Sequence, residues 1–417
     1  MNISLISLLA IIFVFVIGAF KRNPLHLGLL GLLITYIIGR IGGFTDVEIM
    51  AFFPTTLFVR VFGIMLFFGT VQANGAMELL ARKLLSKTDS NIKLLPFYIF
   101  FIGILMGTIG VNSLAGIAIL SGIGISLALT SGGDPLLFGI AGGYGVVAGC
   151  YSPINEFTAN IITAVDSIGL NTNLFLIFML AIVTFTISFA IIYFIMGGHR
   201  AEGGHGDLAK DDIPDFNRDQ TITLLGILGI LVLVIFLGID VGWAGLIVTI
   251  ICILLGACRS TDSIRNVSLV ALILISGVGA LINLVSELGG FELMSTALAS
   301  IMNGSTVAPV MSMTSSVMSL FTIARLCVLT LIPTIPGIIE SVPGASIDLA
   351  VIAISVGSLA SSIGPLSSNG ALIMQNLSQQ LGEEEAANYF TKQMIMGVIG
   401  GINIALALWV ISLLNIF

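Results

Sequence analysis

Two proline-centred motifs concentrate the polar side chains of two long apolar stretches. Tyr151-Ser152-Pro153-Ile154-Asn155-Glu156-Phe157 lies within 135–165, and Ile363-Gly364-Pro365-Leu366-Ser367-Ser368-Asn369-Gly370 within 347–377. Hydroxyl and amide side chains can donate hydrogen bonds to a carboxylate and can also offer oxygens to Na+. Two further stretches carry similar groups. Asn112 and Ser113 follow Gly107-Thr108-Ile109-Gly110, and Ser319, Thr322 and Arg325 fall in the apolar stretch 305–340. The expectation is that four polar tips converge: Asn112 and Ser113; Ser152, Asn155 and Glu156; Ser319, Thr322 and Arg325; Ser367, Ser368 and Asn369. A single Ser or Thr at such a place serves equally well as a cap of a half-helix.

Glu156 is the one acidic residue deep in an apolar stretch. An intramembrane acid is costly and usually functional. It could ligate Na+, relay a proton or pair with an arginine. Arg325 could grip a carboxylate through two parallel N–H donors, or pair with Glu156, in which case neither is free for ligand. Arg60, a third of the way into its apolar run, is read as snorkelling or paired structurally.

The elements that must position these groups are membrane helices. With 57% hydrophobic and 9% charged residues and a mean hydropathy of +1.13, the chain is far from soluble composition. It reads as an all-α polytopic membrane protein. Proline lacks the N–H that a helix needs and clashes with the preceding turn, so the stretches at 135–165 and 347–377 must open at Pro153 and Pro365. Opened backbone at membrane depth is tolerated only against protein or a water-filled cavity, and secondary transporters bind substrate and ion at such places.

Apolar runs at 4–20, 26–41, 53–72 and 172–196 are expected to span, as are 220–239, 242–257, 267–286 and 393–416. Residues 93–130 and 305–340 each read as a hairpin of two helices. The polar segment 197–219 marks a linker between an N-terminal repeat, 1–196, and a C-terminal repeat, 220–417. At an offset of 214, Val71, Gly75, Glu78 and Leu79 match Val285, Gly289, Glu292 and Leu293, and the proline motifs align at 212. Each repeat counts five spans plus a re-entrant hairpin, an odd number of crossings, so the second is inverted and the broken helices meet at the repeat interface.

Lysine and arginine set the orientation. With the N-terminus outside, the cytoplasmic side collects Lys21, Arg22, Arg82, Lys83, Lys87, Lys93, Arg200, Lys210, Arg218, Arg259, Arg265 and Lys392, against Arg40 outside. Both termini are then external, and no signal peptide is read in the first twenty residues.

Other classes find little support. His26, His199 and His205 fall in or near loops, and Cys150, Cys252, Cys258 and Cys327 have neither metal-ligand nor disulfide spacing. No enzyme constellation, cofactor site or phosphate-binding loop is legible, and no basic patch suggests nucleic acid. The net charge of −7 comes largely from two polar loops.

The chain resembles the MatC-type malonate and C4-dicarboxylate carriers, within the ion-transporter superfamily that includes the divalent anion/sodium symporters. The resemblance rests on GLLGLLITYIIG, FFPTTLFVRVFGIMLFFGTVQANG, AGGYGVVAGCYSPI, LIPTIPG and SSIGPLSSNGALIMQNL. It implies scaffold and transport regions, dimeric assembly, elevator-type motion and location in a bacterial inner membrane. It also implies a hairpin-tip polar role for Asn112 and Ser113, and substrate and cation roles for Ser367, Ser368 and Asn369. The Ser-Asn-Thr tip of the symporters survives only as Asn112-Ser113, and Phe321-Thr322-Ile323-Ala324-Arg325 replaces it in the second hairpin.

Together these readings give a cation-coupled carrier of small organic anions, a dicarboxylate foremost, with Na+ favoured over H+ and a homodimer in the bilayer. Asn112, Ser113, Asn155, Thr322, Arg325, Ser367, Ser368 and Asn369 are the candidate substrate residues. Ser152, Asn155, Glu156 and Asn369 form the candidate Na+ region. A cation/proton antiporter, with Glu156 carrying the proton, and a non-transporting scaffold are the alternatives.

Overall fold

The structure is a computed structural model and describes residues 3–19, 26–85, 91–201, 213–267, 269–321 and 323–414. Among these the regular structure is helical throughout. Large apolar side chains such as Leu33, Ile37, Phe175, Val183, Leu228, Ile250 and Trp409 are exposed along the helices. An exposed apolar belt of this extent is what lipid covers in a multi-pass membrane protein.

Among the described residues, five helical stretches are long and apolar enough to cross a membrane: Asp46–Ala73, Ser113–Ser131, Leu174–Ile195, Ala324–Ser341 and Glu383–Leu413. The sequence also places spans at 26–41 and 242–257. The helices formed there, Leu27–Ile41 and Val241–Leu254, have 15 and 14 residues. At about 1.5 Å per residue they reach roughly 22 Å, short of the ~30 Å hydrocarbon core. Each is sunk into a longer neighbour through glycine. A Cβ on Gly63 would overlap the Gly242 carbonyl, and one on Gly277 the Gly28 carbonyl. Backbone contact this close gives dispersion attraction along the whole crossing.

The order of elements in the first half recurs in the second. Leu27–Ile41, Asp46–Ala51, Thr55–Ala73 and Ala76–Leu85 are followed, 214 residues on, by Val241–Leu254, Ser260–Arg265, Leu269–Glu287 and Gly290–Ala299. Leu95–Thr108, Pro135–Gly149 and Glu156–Ser167 are followed, 212 residues on, by Val307–Phe321, Ile347–Ala360 and Ser368–Leu381. Gly75 and Gly289, themselves 214 apart, both have positive φ, at 70° and 73°. A left-handed residue ends a helix at little cost only when it is glycine. At the second of these, Leu272–Glu287 and Gly290–Ala299 are bent by 79°.

Both hairpins form where the sequence places them. Leu95–Thr108 turns into Ser113–Ser131, and Val307–Phe321 into Ala324–Leu331, which continues through a short 3-10 turn into Ile335–Ser341. The halves interlock at the breaks. Glu156–Ser167 lies against Ala324–Leu331 of the second hairpin, and Ser368–Leu381 lies against Ser113–Ser131 of the first.

Candidate functional site

Both proline segments are broken as the chemistry of proline requires, and in the same way. Residues 150–155 and 361–367 leave the helix, each turn closed by backbone bonds: Asn155 N–H donates to Ser152 O, and Ser367 N–H to Gly364 O. A cap then restarts the helix. Asn155 accepts from Phe157 N–H at 2.9 Å, and Ser367 accepts from Gly370 N–H at 3.0 Å. These side chains satisfy amides that the first turn leaves without partners.

Side-chain donors from elsewhere in the fold brace the carbonyls in and beside the second break. The Tyr144 hydroxyl donates to Ala360 O at 2.8 Å, and the Tyr151 hydroxyl to Ser355 O at 2.9 Å, so each tyrosine of the first broken helix braces the second. Gln393 of the last helix donates to Ile363 O and Gly370 O, both at 2.7 Å, spanning the second break. Sequence reasoning missed all three. Their signal was a buried-type polar group within an apolar run near a break, where free carbonyls have to find donors.

Asn155 is fully buried, and its amide nitrogen donates to Gly107 O at 3.0 Å and Val111 O at 3.2 Å. It therefore pins the first break to the first hairpin tip. With the cap bond its polar atoms are spoken for, and it lines neither of the cavities described next. Ser152, 3% exposed, lines neither as well.

A cavity of about 170 Å³ lies between the halves. Ser113 of the first hairpin, Ser319 and Arg325 of the second, and Ser367, Ser368 and Asn369 of the second break supply its polar wall. Leu114, Phe157, Leu274 and Leu359 supply its apolar wall. Ser362 also lines it, with a buried hydroxyl that has no hydrogen-bond partner. The helices Ser113–Ser131, Ala324–Leu331 and Ser368–Leu381 present their N-termini here. Those ends carry partial positive charge and free amides, which favours an anion.

A second cavity of about 220 Å³ adjoins it, lined by Asn112, Glu156, Arg325, Gln72 and Asn266 among others. Arg325 lines both. Its Nη2 donates to Glu156 Oε1 at 2.6 Å, and the same oxygen accepts from Asn112 Nδ2. The Arg325 and Glu156 side chains are 10% and 4% exposed, and among the described residues they are the only charged ones lining either cavity. The pair is thus a neutral unit on the partition between two cavities.

The structure accordingly separates the candidate residues into groups. Ser113, Arg325, Ser367, Ser368 and Asn369 are brought together. Asn112 and Glu156 meet Arg325 from the adjoining cavity. Thr322 lies outside the described residues. Of the candidate Na+ region, Asn369 lines the first cavity and Glu156 the second, while Ser152 and Asn155 line neither; the Asn155 amide is held by the hairpin tip and Glu156 Oε1 by two N–H donors.

Arg60 is paired structurally. It donates to Asp240 at 2.7 Å, Thr163 at 2.9 Å and Asp166 at 3.0 Å. Thr55–Ala73 is thereby fastened to the helix that follows the first break. The corresponding pair in the second half, Leu269–Glu287 and Ser368–Leu381, is separated by the 170 Å³ cavity, with Leu274 on one side and Ser368 and Asn369 on the other.

Residues 1–150 match the family model described as the N-terminus of the dicarboxylate carrier protein MatC. This agrees with the resemblance drawn from the motifs. No curated protein matches the chain. Among solved structures, the chain is similar to the YdaH transporter of Alcanivorax borkumensis, at 13% identity and a TM-score of 0.63, with 88% of this chain and 87% of that chain covered. At that identity the likeness is one of fold.

Proposed function

We propose that this multi-pass membrane protein is a secondary carrier of small organic anions, with dicarboxylates as the substrate class, and that a cation gradient drives it. The observation that carries this reading is the position of Arg325, a buried guanidinium on a cavity ringed by serine hydroxyls, Asn369 and helix N-termini. One carboxylate of the substrate takes Arg325. The other takes Ser368 and Asn369 at the N-terminus of Ser368–Leu381, where the Ser367 hydroxyl, donating to Ser362 O and Gly364 O and accepting from Gly370 N–H, holds the break in shape. The MatC match over residues 1–150 supports the substrate class.

In this reading the two halves are inverted repeats, and alternating access exchanges their contacts. Here Arg60 closes the first-half pair while a cavity parts the second-half pair. With both termini outside, the Arg60 end is external and this state opens to the cytoplasm. Motion of the hairpins and broken helices as one body against the remaining helices would reverse it, in a homodimer of a bacterial inner membrane. Na+ is the favoured coupling ion and H+ the runner-up.

Reconstitution tests this. Radiolabelled succinate or malonate should accumulate in proteoliposomes when an inward Na+ gradient is imposed. Equal uptake with and without any cation gradient refutes coupling, and no uptake of either anion refutes the substrate class. A cation/proton antiporter draws on the same Glu156–Arg325 pair, with Glu156 as proton carrier. Sodium-dependent proton movement with no organic anion present would select it.

A further inference from the structure

The Glu156 carboxylate stands where an incoming carboxylate would bind. Donors from the tips of both hairpins, Asn112 Nδ2 and Arg325 Nη2, close on its Oε1. Asn112 also caps Ser113–Ser131, accepting from Leu114 N–H at 2.9 Å, so its amide is held on a fixed element. Glu156 begins the helix that follows the break and is 3% exposed. Among the described residues the charged and titratable groups facing it are few. Arg325 comes from the second hairpin, the Cys150 thiol lies in its own break, and the one cation of Thr55–Ala73, Arg60, is turned to Asp166 and Asp240. The residues of that helix lining the cavity beside Glu156 are Met65, Phe68, Gly69 and Gln72.

We propose that Glu156 is an internal surrogate for the substrate carboxylate. In the empty carrier it neutralises Arg325, so the site holds no net charge and can reorient without carrying an unpaired cation through the membrane. An entering dicarboxylate displaces it and takes the guanidinium. The released Glu156, buried and without its partner, is too costly to leave ionised and bare. It therefore takes up the coupling cation, either Na+ on its oxygens or a proton from water to give the neutral acid. Each anion bound then requires one cation at Glu156, which makes symport obligatory at this residue. The inference rests on the carrier reading above.

Calorimetric binding of succinate and malonate to the purified full-length protein tests it, with Na+ or choline as the cation and over pH 7–8. Wild-type affinity should rise with Na+ or with falling pH. Glu156→Gln keeps the shape and a neutral acceptor but holds Arg325 less tightly. It should bind succinate about tenfold tighter, because a neutral amide oxygen replaces the carboxylate as the guanidinium's acceptor and the ion pair is lost, and its affinity should no longer respond to Na+ or pH. Glu156→Asp is one methylene shorter and keeps the charge, so it should bind more tightly than wild type while retaining the cation response. Weaker succinate binding by a folded Glu156→Gln, or an undiminished cation response in it, overturns the surrogate role. Should that variant aggregate, loss of succinate binding in Glu156→Asp overturns it instead. A wild-type protein that binds neither anion refutes the carrier reading and this inference with it. A wild-type protein that binds them irrespective of any cation refutes this inference alone.

Discussion

Replacing Asn155 by Asp separates a structural role from a ligand role at the first break. The substitution keeps an acceptor oxygen in place for Phe157 N–H, and Asp is as good an N-cap as Asn. What disappears is the amide donor to Gly107 O at 3.0 Å and Val111 O at 3.2 Å. A carboxylate oxygen would then face two carbonyl oxygens in a fully buried setting. Gly107 O keeps the Gly110 N–H at 3.0 Å, so Val111 O is the acceptor left without its donor, at about 1–3 kcal/mol, to which the repulsion adds. Asn155→Ala loses the cap as well, worth about 1 kcal/mol more, but avoids the repulsion. Thermal denaturation in detergent should show both variants markedly destabilised, with any succinate binding that survives near wild-type affinity. An Asp variant of wild-type stability that no longer binds succinate would refute the assignment of Asn155 to the scaffold of the tip and return it to the ligand site.

The glycine crossings supply a second test. Gly63→Ala forces Thr55–Ala73 away from Val241–Leu254 and should cost about 1–3 kcal/mol or more. Gly229→Ala is the control, since its Cβ would meet Val248 Cγ2 at 3.5 Å, an ordinary contact, and helix propensity favours Ala by about 1 kcal/mol. Equal melting temperatures for the two would contradict the role given to close backbone packing. Arg60→Gln should cost about 1–3 kcal/mol in the same assay through the lost ion pairs to Asp240 and Asp166 and the lost bond to Thr163, whereas Asp166→Asn, at a carboxylate 54% exposed, should cost less. Outside the membrane, the hydrogen bond and charge of Lys83, 2.8 Å away, hold the Asp215 carboxyl below its usual value. Its folded-state pKa is depressed, so its contribution is present above the unfolded pKa and lost as pH falls through the folded one. Lys83→Ala should return the Asp215 titration, followed by carboxyl NMR, to the ordinary carboxylate range.

The broken helices, the hairpins and the recurring element order were legible in the sequence because their causes are local. Pro153 and Pro365 remove a donor wherever they sit in an apolar run, and Asn155 and Ser367 offer caps two residues on. Hydropathy then marks what must face lipid. The matched glycines at 75 and 289 belong to the same class, since a left-handed residue selects glycine from its own backbone.

Partnership was another matter. Glu156 and Arg325 are 169 residues apart in the chain, and a sequence offers each of them several partners of equal chemistry. Which one is met depends on how the second hairpin docks against the helix after the first break. The same holds for Asn155, whose amide meets the hairpin tip, and for Tyr144, Tyr151 and Gln393, whose carbonyl partners lie on other elements. Sequence determined where backbone groups would be left without partners. Only the tertiary structure decided which side chains satisfy them, because burial makes every free donor and acceptor costly, and the fold alone brings distant ones within reach.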